Sequence, residues 1–268
     1  MKVLVCGASG LIGSAVCARL AHEGHQVIAV GRGGRKVPPL GVAHWISLDL
    51  AVASEHDWNG HLAGVDAVVN CAGVLQESPR ENVRAAHVDG PATLYAACVS
   101  SGVRRIIHFS AIGIDRHQAS RFSATKLAGD MALMSLPLDW VILRPSVVLG
   151  SAAFGASALF RGLAALPVLP SMPATGELQV VDLEDVTATV ALLLEPSAPT
   201  RIIIELAGPE RLSMRSIVAA YRRWLGWSPA PVVELPVWAS SLLYRLGDFA
   251  ASLGWRPPIR STAMREIG

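Results

Sequence analysis

The sequence predicts an α/β protein: a doubly wound parallel sheet with a small, mostly helical C-terminal region. Three observations predict it. Short β-rich apolar runs alternate with longer helical patterns up to about residue 150. A glycine-rich segment separates the first such run from the first helical pattern. The length, 268 residues, suits one large domain or a dominant domain with an appendage.

Taken in order, Lys2–Cys6 (KVLVC) reads as a strand, and Leu11–His22 as a helix with Ile12, Val16 and Leu20 on one face. Gln26–Val30, Ala43–Ser47 and Asp66–Asn70 read as further strands. A helix is expected over Glu81–Ser101, a strand at Arg105–Phe109, a helix over Ser120–Met134 and a strand at Trp140–Leu143. This β-α-β rhythm implies a parallel sheet covered on both faces. Beyond Leu149 small residues and prolines dominate to Gly176, with helical stretches near Ala156–Ala165 and Leu183–Leu194. A strand at Arg201–Leu206 and helices at Ser213–Leu225 and Val237–Leu253 follow, the last ended by Pro257-Pro258. The expected division is a nucleotide-binding core over 1–150 and a smaller region over 151–268, interleaved with the last core strand at about 180–206.

Composition excludes several function classes. Hydrophobic residues at 51% against 16% charged exclude an intrinsically disordered chain. With 23 basic and 21 acidic residues, the balance is too even for a dedicated nucleic-acid binder. Apolar runs fall short of the roughly 18 residues a membrane span needs. Because MKVLVCGASG runs straight into a fold motif, no signal peptide and a cytoplasmic location are expected. Cys6, Cys17, Cys71 and Cys98 lie in apolar runs with no CxxC pair, as small buried thiols of a reducing compartment do, and no metal is expected.

The glycine segment is Gly7-Ala8-Ser9-Gly10-Leu11-Ile12-Gly13. In a Rossmann-type fold Gly7 permits the tight turn, Gly10 lets backbone approach a pyrophosphate, and Gly13 lets helix and strand pack closely. The helix start then offers free N–H groups and the positive end of its dipole to the phosphates. Gly7, Ser9, Gly10, Leu11, Ile12 and Gly13 are therefore expected at a dinucleotide. The end of the second strand carries Gly31-Arg32-Gly33-Gly34-Arg35-Lys36, where a carboxylate would hold a ribose 2′-hydroxyl. Arg32 suits a 2′-phosphate, which favours NADP over NAD, while Arg35 and Lys36 also read as solvated loop charges. Asp49 and Leu50 are expected beside an adenine, and Cys71, Ala72 and Gly73 along the cofactor edge.

These residues resemble the short-chain dehydrogenase/reductase superfamily, in its extended or atypical branch (NAD-dependent epimerase/dehydratase-like, NmrA-like and complex I NDUFA9-subunit-like proteins). The resemblance is carried by GASGLIG at 7–13, NCAG at 70–73, HVDG at 87–90, GVRRIIHFSAIG at 102–113, FSATK at 122–126, LRPSVVLG at 143–150 and VVDLEDV at 180–186. It implies an active site of Asn, Ser, Tyr and Lys. Ser110 and Lys126 match the Ser and Lys, whereas the Tyr falls on Phe122 and the Asn on His87. Phenylalanine has no proton to give, so the family's usual acid/base step is altered here. The resemblance leaves Lys126 a second role on the nicotinamide ribose and places Pro145 and Ser146 along the nicotinamide, with Arg144 structural. His87 reads as a hydrogen-bonded structural histidine or as a substitute acid, and Ser110 as a substrate contact or a strand cap.

Mean hydropathy is +0.42, and four of the seven tryptophans lie between Trp224 and Trp255. Leu235, Trp238, Leu242, Leu246, Phe249 and Leu253 recur at helical spacing among arginines. Such a stripe packs into a core or docks on a membrane surface or membrane-protein partner. Two functions follow: an NADP(H)-dependent oxidoreductase with a modified active site acting on an unknown small molecule, or a non-catalytic NADP(H) sensor or accessory module of a membrane complex.

Overall fold

A computed structural model describes residues 1–33, 41–79, 81–117, 120–152, 155–172, 176–253 and 259–267. Arg35, Lys36, Trp255, Arg256 and the Pro257-Pro258 stop lie outside them.

The chain forms two compact units. The first comprises Met1–Glu77, Glu81–Pro145 and Leu183–Leu206. It holds one seven-stranded sheet: β1 (Lys2–Cys6), β2 (Gln26–Gly31), β3 (Val42–Ser47), β4 (Ala67–Asn70), β5 (Arg105–Phe109), β6 (Asp139–Pro145) and a last strand, Ile202–Leu206. Every pairing is parallel, in the order β3-β2-β1-β4-β5-β6 with Ile202–Leu206 at the far edge. Inner strands such as β1 and β4 are apolar and buried almost throughout, because helices cover both faces. The edge strand Ile202–Leu206 alternates instead and exposes every second residue. The order reverses between β1 and β4, and ligands of open α/β sheets bind beyond the strand ends at such a switch point.

The helices of this unit are α1 (Leu11–His22), α2 (Gly90–Ser101), α3 (Arg121–Met134) and Leu183–Leu193. Gly102 closes α2 with a left-handed φ of 77°, and the Ser120 side chain caps α3 by accepting the Phe122 N–H. The expected helix over Glu81–Ser101 departs from regularity. Ala85–Asp89 forms a π turn in which the Gly90 N–H donates to Ala85 O. Pro91 follows with no N–H to give. A Cβ on Gly90 would lie 2.1 Å from Leu50 O, so only glycine permits this approach.

The second unit comprises Ser78–Arg80, Ser146–Asp182 and Ala207–Gly268. In chain order it adds β7 (Val147–Leu149), α4 (Gly155–Ala164), β8 (Leu169–Ser171) and β9 (Val180–Asp182). The first unit's remaining elements take the next labels, α5 (Leu183–Leu193) and β10 (Ile202–Leu206). Then come α6 (Met214–Trp224), β11 (Val232–Glu234), α7 (Val237–Ser252) and α8 (Ser261–Ile267). The small parallel pairs β7·β9 and β8·β11 are too short to show period-two patterning in the sequence. Phe160, Leu163, Leu169, Ile217 and Val218 form this unit's core. The stripe from Trp238 to Leu253 does not join it: those side chains are exposed.

Candidate functional site

The site grows from the glycine loop. Gly7 has φ +71°, and a Cβ there would lie 2.7 Å from Ala72 N. On Gly13 a Cβ would lie 2.2 Å from Gly7 O. Both positions are thus closed to any side chain, and the loop seats the start of α1 directly over β1. Gly10 is the N-cap residue of α1, with no side chain capping it, so the helix start is open to an anionic ligand. Ser9 is exposed, and Leu11 and Ile12 are half-buried at that start. This cradle fits a pyrophosphate.

Arg32 directly follows β2. Its Nη2 lies 3.1 Å from Glu81 Oε1, in a pair where Arg32 is 42% exposed and Glu81 only 6%. The sequence reading found no carboxylate at this strand end; the fold brings one in from 49 residues away. Glu81 was therefore missed, and no local pattern could have found it. Asp49 uses its carboxylate in a local turn, accepting the Ala51 N–H at 3.1 Å, and Leu50 is buried in the core. Cys71 and Ala72 are half-buried after β4, and the Cys71 N–H donates to Cys6 O at 3.0 Å.

Gly73 lies above a packed floor: a Cβ on it would meet Lys126 Nζ at 3.2 Å and His87 Nε2 at 3.5 Å. Lys126 on α3 is 5% exposed and donates to Phe109 O at 2.7 Å, so it is not a surface cation. Burial pulls its pKa from 10.5 down to about 8, against the upward pull of Asp130 and Cys71. Ser110 directly follows β5, with its N–H on Leu143 O at 2.7 Å. Pro145 ends β6, and Ser146 is the first residue of the second unit.

His87 stands in the π turn, 1% exposed. Its Nε2 accepts the Val74 N–H at 3.1 Å, and its Nδ1 lies 2.8 Å from Thr125 Oγ1. Thr125 spends its proton on Arg121 O, which makes Nδ1 the donor and fixes the tautomer. Burial, with the Lys126 charge, pushes the imidazole down to about 2. Both nitrogens are committed, so His87 serves as a neutral structural group rather than a substitute acid. The Phe122 ring packs edge-on against it at 5.4 Å.

Behind these residues runs a buried polar chain that the sequence reading did not assemble. Asn70 Nδ2 donates to Tyr95 Oη at 3.0 Å, and that hydroxyl lies 2.9 Å from His108 Nδ1. His108 Nε2 is 3.6 Å from Asp130 Oδ1. Arg144 donates to Asp130 Oδ2 through Nε (3.2 Å) and Nη2 (3.0 Å), and to Asp115 Oδ2 through Nη1 (2.7 Å). Burial raises Asp130 against the nearby Ser110 hydroxyl, Arg144 and Lys126, and holds His108 well below its usual value. Asp130 sits four residues after Lys126, a helical spacing that could have signalled a shared face. The pairing with Arg144 is non-local and carried no signal.

The model of an NAD(P)H-binding family matches residues 7–162. An uncharacterised protein of Mycobacterium tuberculosis is 29% identical over 250 residues, covering 93% of this chain and 25% of the relative. The chain thus spans about a quarter of the length of that relative. A ceramide reductase of Caulobacter vibrioides is 23% identical over 214 residues, 78% of this chain and 65% of the relative. Among solved structures, a dTDP-glucose 4,6-dehydratase from Streptomyces venezuelae with NAD bound superposes with a TM-score of 0.72 at 20% identity. It covers 88% of this chain and 84% of that one.

Proposed function

Because the chain belongs to the NAD(P)H-binding family, within the short-chain dehydrogenase/reductase superfamily, we propose that it is an NADP(H)-dependent oxidoreductase whose proton source is Lys126 rather than a tyrosine. One observation carries this reading. The only lysine after Lys36 is buried beneath Gly73 at the end of the cofactor cradle, with a pKa of about 8.

When bound, NADP(H) supplies or accepts a hydride. The loop from Gly7 to Gly13 holds the pyrophosphate at the start of α1. Arg32 faces the 2′-phosphate, in competition with Glu81. Cys71, Ala72 and Gly73 line the cofactor edge, Asp49 and Leu50 the adenine end, and Pro145 and Ser146 the nicotinamide. The Lys126 ammonium has one proton on Phe109 O and two free for a ribose hydroxyl and a substrate oxygen. A group with pKa near ambient pH is suited to giving and recovering a proton. Ser110 orients the same substrate oxygen. Phe122 closes the position of the family's tyrosine with an apolar ring. A substrate carbonyl is consistent with the reductase name of the Caulobacter relative.

Phe122 and the committed His87 also favour a second reading, a cofactor-binding module that senses NADP(H) without turnover. Calorimetric titration with NADPH, NADP, NADH and NAD, followed by a carbonyl screen, tests both. Preferential NADP(H) binding with turnover lost in Lys126→Met supports the enzyme. Tight binding without turnover supports the module. NAD(H) preference refutes the role given to Arg32, and binding of neither refutes both readings.

A further inference from the structure

The helix α7 is packed the wrong way round for a core helix. Its inward residues are small: Ser240, Gly247 and Ala251 are buried. Gly247 lies so close to the chain that a Cβ on it would stand 1.8 Å from Ile259 O. Tyr244 reaches Met172 Sδ at 3.2 Å, and Asp248 accepts the Ser261 N–H at 3.2 Å. The opposite face carries Trp238, Leu242, Leu246, Phe249 and Leu253, each 49–74% exposed. At 100° per residue these five fall within about 80° of arc, centred opposite Ser240, Gly247 and Ala251. They make a continuous ridge of roughly 22 Å. Its apolar surface is on the order of 500 Å², at the upper end of what a monomer leaves to water.

We propose that this ridge seats on the surface of an anionic lipid bilayer. Charge decides the occupant. Residues 207–268 hold eight arginines and four carboxylates, of totals of 23 basic and 21 acidic, which leaves 15 and 17 in the first 206. The chain's positive charge is thus gathered in the segment that carries the ridge. Arg245 is exposed beside it, and α6 of the same unit ends on Arg222 and Arg223. Arg161 and Arg222 lie over the exposed rings of Trp224 and Trp227 at 5.0 and 5.3 Å. An apolar helix face that carries Trp238 and Arg245, in a unit that exposes further tryptophans and arginines, suits the headgroup boundary. Among the described residues no helix is long and apolar enough to cross a membrane, so α7 would lie along the surface. A second copy paired through this face would set like charge against like.

Flotation of the full chain with phosphatidylcholine vesicles, and with vesicles containing an equal share of phosphatidylglycerol, tests this. A triple variant, Trp238→Gln/Leu246→Gln/Phe249→Gln, runs alongside. These side chains are exposed, so the variant should melt and bind NADP(H) as the parent does. The parent should float with the anionic vesicles at least about tenfold more tightly than with the neutral ones. Raising salt should weaken that difference. The variant should lose about tenfold or more. Flotation with neither vesicle, or equal flotation of parent and variant, overturns the proposal. So does a parent dimer that the variant abolishes without vesicle binding, which assigns the ridge to a second copy.

Discussion

Replacing Lys126 with methionine should change stability in a way that depends on pH in one direction only. The lysine is 5% exposed, and burial lowers its pKa from 10.5 to about 8. Between those values the unfolded chain binds a proton that the folded chain does not. Lys126 therefore adds stability as pH rises through this window; the gain is complete above 10.5 and gone once pH falls below about 8. At roughly 1.4 kcal/mol per unit, the swing is about 3 kcal/mol. Methionine fills similar volume and has nothing to titrate. Urea unfolding of both proteins at intervals between pH 7 and 10.5 gives the stability difference at each pH. Groups shared by both proteins cancel, including the buried thiols of Cys17 and Cys98, each pushed up to about 12. The advantage of methionine over lysine should shrink by about 3 kcal/mol from the bottom of the range to the top. A difference flat to within about 0.5 kcal/mol would show that Lys126 keeps an ordinary pKa in the fold, and the proton role given to it would fall with that result.

Gly13→Ala places a methyl 2.2 Å from Gly7 O; calorimetry should show cofactor affinity down about 100-fold, and urea unfolding a loss of about 1–3 kcal/mol. Glu81→Gln frees Arg32 from its carboxylate, so NADP(H) should bind about tenfold tighter while NAD(H) barely changes, and equal gains for both would refute the placement of the 2′-phosphate. Phe122→Tyr restores a phenol near Lys126, and turnover of a reduced carbonyl should rise about tenfold or more, read as kcat with KM unchanged.

Much of this protein is legible in its sequence because its signals are local. The strand, glycine loop and helix from Lys2 to His22 occupy the expected positions, since each step depends on residues a few places apart. The apolar runs of the inner strands and the small residues at 7 and 13 follow from steric rules that need no distant partner. Other features depend on what the chain brings together. Glu81 reaches Arg32 across 49 positions, His87 turns inward on a π turn to meet Thr125, and Arg144 joins the buried Asp130 to the exposed Asp115. Periodicity alone could not say which way α7 faces, because helical spacing marks a stripe without naming its neighbour. That was decided by the small side of the helix, where Gly247 lets the backbone at Ile259 approach and Ala251 is buried, leaving the large apolar residues on the outside.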